Sequence, residues 1–195
     1  MKRVIVKANF NMMNAFKFPL LLLSLIASSC NFSDAEKSKI VLNSNSGKVI
    51  SIIDGDTYDI LLSGNKTVRI RMEGIDAPEK GMPFYKAAKK HLSVLCFGKT
   101  IRLEVHDEDS RKRKIAFSYL EDGRELSHEM IKAGMAWHFT KYNNDADLAK
   151  LESEARELKI GLWLDESPMP PWVNRSLHRN GVSTKDSFNI KEGQE

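Results

Sequence analysis

The sequence predicts an α+β chain that is mainly β, and three observations carry that expectation. Five short stretches alternate apolar and polar residues, one amphipathic stretch interrupts them between the third and the fourth, and two further helical patterns follow the fifth. Period-two alternation turns one face of a strand toward a core, and spacing by three and four residues does the same for a helix. Five strands with a helix after the third is the order of a five-stranded OB-fold barrel, here with about three helices packed on it.

Lys48 to Ile53 is rich in β-branched residues and forms the first strand, which Asp54-Gly55 turns into a second from Thr57 to Leu62. Ser63-Gly64-Asn65 leads back into a third, in which Val68, Ile70 and Met72 face one side and Arg69, Arg71 and Glu73 the other. From Pro83 to Leu95, the residues Phe84, Ala87, Ala88, Leu92 and Leu95 line one face of a helix ended by Gly98, with Lys86, Lys89 and Lys90 on its solvated side. Ile101, Leu103 and Val105 mark the fourth strand, and Ile115, Phe117 and Tyr119 the fifth. Glu125 to Ala133 is a short helix, and Asp145 to Leu158 a longer one in which Glu152 and Arg156 form an i,i+4 pair. Gly161 closes it, and Trp163 covers the barrel or helix edge.

The ends read differently. Residues 1–29 hold four basic side chains and no acid, then the apolar run Phe18 to Ala27, which is the pattern of a signal peptide and too short to span a bilayer stably. Ile26-Ala27-Ser28-Ser29-Cys30 resembles a bacterial lipobox, so Cys30 is the expected lipidation site and the protein an exported envelope lipoprotein; ordinary cleavage and free secretion is the alternative. Translation from Met12 or Met13 would shorten the leader to the usual length. Residues 31–47 form a polar tether, 48–175 the domain, and 176–195 a flexible tail. The overall charge of +4 comes entirely from the leader, because the remaining 26 basic residues face 26 acids. A polyanion would therefore have to meet a local patch. Cys96 is the only other cysteine; with Cys30 lipidated no internal disulfide forms, and Cys96 is expected to be packed in the core.

Three clusters carry chemistry. Arg71 projects from the third strand, Gly74 turns the chain, and Asp76 and Glu79 follow with Pro78 between them. A planar guanidinium matches phosphate oxygens, and two acids can hold a hard cation or move a proton. Asp76-Ala77-Pro78-Glu79 also fits a capping box, but Gly81 and Pro83 would break that helix in its first turn. Asp54-Gly55-Asp56-Thr57 is either a hairpin turn or a carboxylate pair, and it is no EF-hand, since Asn65 stands where a bidentate Glu is needed. Asp109 to Lys114 is a basic run entering the fifth strand, which can fix Arg113 as firmly as Arg71. The histidines and cysteines show no zinc spacing, and there is no Gly-x-Ser-x-Gly or P-loop.

Together these clusters, followed by Ala133-Gly134-Met135-Ala136, Leu151 to Arg156 and Gly161-Leu162-Trp163, resemble the staphylococcal nuclease (thermonuclease) family from about Lys48 to Trp172. The resemblance implies a calcium-dependent OB-fold phosphodiesterase that cuts DNA and RNA with little sequence preference and leaves 3′-phosphates. It implies Asp56 and Asp76 as Ca²⁺ ligands together with the Ala77 carbonyl and waters, Arg71 and Arg113 on the scissile phosphate, Glu79 assisting the attacking water, and Asp54 supporting the site from behind. Tyr142 roughly matches a substrate-side aromatic that would stack on a base. Three positions depart from the family pattern: Ala77 replaces a threonine, Lys112 a glycine and Arg111 an aromatic. A monomer is expected, since no long apolar stripe suggests an interface. The competing readings are a noncatalytic OB module that binds nucleic acid or protein from a membrane tether, and a structural lipoprotein that binds metal without hydrolysis.

Overall fold

The computed structural model describes residues 45–184; the leader, Cys30, most of the tether and the last eleven residues lie outside the described residues. Strands β1 (Ser46–Ile52), β2 (Thr57–Leu61), β3 (Thr67–Met72), β5 (Thr100–Glu108) and β6 (Lys114–Tyr119) close into a barrel in the order β1-β2-β3-β6-β5. The OB-fold expectation holds. All neighbours run antiparallel except β3 and β6, which are parallel because the chain leaves β3, crosses through helix α1 (Tyr85–Cys96) and returns along β5 before reversing. The inward faces are the alternating residues: Val49, Tyr58, Ile60, Ile70, Met72, Ile101, Leu103 and Ala116 are buried. Each such aliphatic side chain contributes about 1.5–3 kcal/mol on leaving water, so a one-residue slip of register would expose the whole set. The Tyr58 hydroxyl, a polar group inside the barrel, donates to Ser118 Oγ at 2.8 Å.

Helix α1 closes one end of the barrel with Ala88, Leu92 and Cys96. Burial pushes the Cys96 thiol up to about 12 and its Sγ donates to the Leu92 carbonyl, which accords with a packing role. Helices α2 (Leu126–Lys132) and α3 (Ala146–Glu157) pack together, and Arg156 donates to Glu152 at 3.2 Å as expected. Trp163 sits against Trp137, with Arg156 stacked 3.7 Å from its ring.

Three features depart from expectation. Two-residue strands β4 (Ile75–Asp76) and β7 (Trp137–His138) pair antiparallel outside the barrel. Such elements are too short to show a period. Strand β5 runs to Glu108, three residues beyond Val105, and carries the chain toward the basic loop. Finally, the expected domain end at residue 175 falls inside a fourth helix, α4 (Pro171–Arg179). Order continues through Thr184, which is buried and hydrogen-bonded to Asn174 and His178, so residues 176–184 are not a tail. Their polar composition conceals a helix that Pro171 starts at N1, where its missing N–H costs nothing.

Candidate active site

The register of β2 on β3 sets the first contact. Thr57 lies opposite Arg71, which brings the neighbouring Asp56 to the guanidinium: Arg71 Nη1 is 3.3 Å from Asp56 Oδ2. Gly55 is needed here for space, since a Cβ at that position would lie 2.7 Å from the Ala77 Cβ and 2.8 Å from that of Ala88. The close approach lets Ala77 N–H donate to Asp56 Oδ2 at 2.7 Å, while Thr57 Oγ1 donates to Oδ1 at 2.9 Å. Gly74, at φ 76°, turns the chain out of β3, and pairing of β4 with β7 fixes Asp76. Arg71 Nη2 then donates to Asp76 Oδ1 at 3.0 Å. One guanidinium thus bridges two carboxylates that are 5 % and 2 % exposed.

Arg113 arrives from the other side. In the parallel β3–β6 contact Arg71 lies opposite Ile115, and Arg113 sits one pleat earlier on the same face. Its Nε donates to Asp109 Oδ2 at 2.8 Å, and its own N–H to Oδ1 at 3.0 Å, so Asp109 ties the loop into a fixed turn. The basic run is therefore held by the acid that precedes it. At its apex Lys112 has φ 64°, a left-handed backbone that a glycine adopts without strain.

Asp54, Asp56, Arg71, Asp76, Ala77, Glu79, Arg113 and Tyr142 all line one cleft of about 660 Å³. Of the expected site residues only Cys30 is not among them, as it lies outside the described residues. Two further residues were not expected. Asp109 is one, and Arg175 of α4 is the other: it donates through Nη1 to Glu79 at 2.8 Å and pairs through both Nη atoms with Asp76. Burial works against the charge of Arg175, but its bonds to Asp76 and Glu79 outweigh that and raise its pKa above the ordinary arginine value.

The acids answer differently. Burial, then the charge of Asp56, pushes the Asp54 carboxyl up to about 6. Burial likewise raises Asp76, against the opposing pull of Arg175 and Arg71. Burial is the largest cause at both, and a divalent cation, by favouring the ionised carboxylates, would offset it. Asp56 and Asp76 offer hard oxygens, and among the described residues no third His, Cys, Asp or Glu joins a cluster at metal-ligating distance. That donor set fits a largely hydrated Ca²⁺ or Mg²⁺ and not a zinc-type centre.

A closed OB barrel whose strands bring two arginines and a group of acids into one open cleft defines a class, the barrel nucleases. The chain belongs to the staphylococcal nuclease family. Residues 69–165 match the family described as staphylococcal nuclease homologue. An uncharacterized endonuclease of Escherichia coli O157:H7 is 39% identical over 129 residues, covering 66% of this chain and 84% of its own. One from Haemophilus influenzae is 36% identical over 152 residues, 78% and 79% of the two chains. The micrococcal nuclease of Shigella flexneri is 32% identical over 147 residues, 70% and 84% respectively.

Proposed function

We propose that this protein is a calcium-dependent endonuclease that hydrolyses DNA and RNA with little sequence preference and leaves 3′-phosphate ends. The observation that carries the reading is the shared cleft, in which Arg71 and Arg113 stand beside Asp56, Asp76 and Glu79. A phosphodiester gains negative charge as water adds to phosphorus, so fixed guanidiniums stabilise the transition state more than the substrate. Arg71 and Arg113 would hold the non-bridging oxygens, and Glu79, half-buried and steadied by Arg175, would accept a proton from the incoming water or order it. Asp56, Asp76 and the Ala77 carbonyl would hold Ca²⁺, which when bound supplies charge to the phosphoryl oxygen. Asp54 would support that set from behind. Indifference to sequence follows because these groups address phosphate. We further propose export, with Cys30 lipidated and anchoring a monomer to the cell envelope, on the strength of the leader pattern.

The test is cleavage of labelled single- and double-stranded DNA and of RNA by the purified protein with Ca²⁺, with Mg²⁺ and with chelator, followed by analysis of the ends. Calcium-dependent cutting to 3′-phosphates that is lost in Arg71→Ala is the expected result. Tight binding without cutting would replace the nuclease by a noncatalytic OB module.

A further inference from the structure

The stretch from Lys80 to Leu103 holds six basic residues and no acid, in a chain whose residues after the leader carry 26 of each. Helix α1 is its centre, and burial settles which way that helix faces. Ala88, Leu92 and Cys96 pack on the barrel, so Lys86, Lys90, Val94 and Phe97, at i, i+4, i+8 and i+11, lie on the opposite side. Both lysines are exposed, Val94 is 70% exposed and Phe97 55%. A merely solvated helix face is polar along its whole length. This one turns apolar in its last turn.

There the helix meets β1. Gly98 N–H donates to the Val49 carbonyl at 3.0 Å, and Val49 N–H to the Lys99 carbonyl at 2.9 Å. Those bonds bring Ile50, 40% exposed on the outer side of β1, to the same edge as Phe97, with Lys48 opposite Thr100 beside it. Lys48, Lys86, Lys90 and Lys99 thus border three exposed apolar side chains. The first three have no ion pair among the described residues. The Lys99 ammonium donates to the Leu95 carbonyl, and the acid whose charge it reaches, Asp122, is already held by Arg124 at 2.8 Å.

Apolar side chains ringed by lysines match an anionic bilayer, in which ammoniums meet lipid phosphates and the apolar groups enter the headgroup boundary. A nucleic acid would use the lysines and find no exposed ring pair on which to stack its bases, while Val94 and Ile50 would gain nothing. The way the chain arrives favours lipid as well. The Asn45 carbonyl, at the head of β1, accepts from Leu103 N–H, and 14 residues separate it from Cys30, a reach of no more than about 50 Å.

We propose that this face of α1 and β1 docks the domain on the surface of an anionic phospholipid bilayer. The face comes within reach of such a surface on the reading that Cys30 is lipidated. The lipid would then retain the protein, and the face would set its orientation. None of these residues lines the cleft, so Arg71 and Arg113 stay open to substrate in the docked protein.

The test is tryptophan emission from Phe97→Trp in the whole protein, mixed with vesicles of phosphatidylcholine alone or in equal parts with phosphatidylglycerol, with and without bromine on the acyl chains. The unsubstituted chain supplies the background from Trp137, Trp163 and Trp172. The added tryptophan should shift to the blue and be quenched by bromine in the anionic vesicles and not in the neutral ones. Lys86→Glu with Lys90→Glu should weaken that response about 25-fold or more, roughly fivefold for each lysine removed. Lys150→Glu, the same charge change on the exposed side of α3, should follow the parent. Equal quenching in neutral vesicles, a double variant that responds as the parent does, or an equal loss in Lys150→Glu would each overturn the proposal. So would an emission shift produced by DNA in chelator and not by vesicles, which would make the face a nucleic-acid surface. The readout is local to the face and does not depend on how the leader partitions. Lipidation of Cys30 is scored separately, from the mass of the protein recovered from a bacterial envelope. Its absence would remove the anchor, while the vesicle series would still decide the face.

Discussion

Arg175 and Glu79 lie 96 residues apart in the chain and 2.8 Å apart in the molecule. The same guanidinium holds Asp76, so one side chain from helix α4 steadies both acids of the Asp76-Ala77-Pro78-Glu79 turn. The barrel does not complete its own cleft; a helix appended after it does.

Arg175→Ala should therefore do two things at once. Asp76, 2 % exposed, would keep only Arg71, and stability in chelator should fall by about 1–3 kcal/mol, read as a lower Tm. Glu79 would lose its partner, and cleavage should fall by roughly tenfold or more in kcat with little change in KM, because a displaced acid or base acts on the chemical step. Arg175→Lys, which keeps charge and loses the fork, should recover part of each. A variant with unchanged kcat would separate Arg175 from the chemistry and leave it as a structural ion pair.

Arg71→Ala and Arg113→Ala should each reduce kcat/KM by about 10²–10³, the usual cost of one donor to a developing anion. Asp109→Ala is the more discriminating variant, since Asp109 fixes Arg113 through its backbone and its Nε without being assigned to substrate. It should cost less than removal of Arg113 itself, and the two changes should not add when combined, because both remove the same placed guanidinium. Additive losses in a double-mutant cycle would show that Asp109 acts elsewhere.

The barrel was legible because Val68, Ile70 and Met72 repeat with period two against one core, and the site because Arg71 and Asp76 lie only five residues apart on and just after one strand. Arg175 was not legible. Its partners are 96 and 99 residues away, and no local pattern announces a contact of that range. A signal for its helix did exist in Pro170-Pro171-Trp172, a helix start with an aromatic in its first turn, but nothing in the sequence says which way the helix lies. Asp109 was visible as a residue and not as a partner, since a turn with Lys112 at positive φ is what folds it back onto Arg113.

That turn gives a stability prediction. Lys112 sits at φ 64°, and its side chain is 84% exposed with the ammonium 3.3 Å from Glu108, a surface pair worth little. Lys112→Gly should relieve left-handed strain and stabilise the fold by about 0.5–1 kcal/mol, the glycine's larger unfolded entropy offsetting part of the gain. For a domain of this size that is roughly 2–4 °C in Tm. Because the turn keeps its shape, kcat should stay within about twofold of wild type. A fall in Tm would mean that the Lys112 side chain stabilises the loop more than its backbone strains it.

Asp54 sets the pH dependence. Its carboxyl titrates at about 6 in the folded protein against 3.8 for an ordinary aspartate, with burial the main cause and Asp56 the next. Between those values the folded state binds more protons than the unfolded chain, so this group's contribution to stability is full below 3.8 and is lost as pH rises through about 6. In chelator, Asp54→Asn should remove that component and leave the variant more stable relative to wild type at pH 7 than at pH 4, as read from paired Tm profiles. A divalent cation reverses the preference, since it favours the ionised carboxyl. Calcium affinity measured by calorimetry should then rise with pH through about 6 in the wild type, with proton release on binding. In Asp54→Asn both the rise and the released proton should diminish. Equal pH profiles for the two proteins would place the titrating group elsewhere in the cleft, with Asp76, whose carboxyl burial also raises, the next to replace.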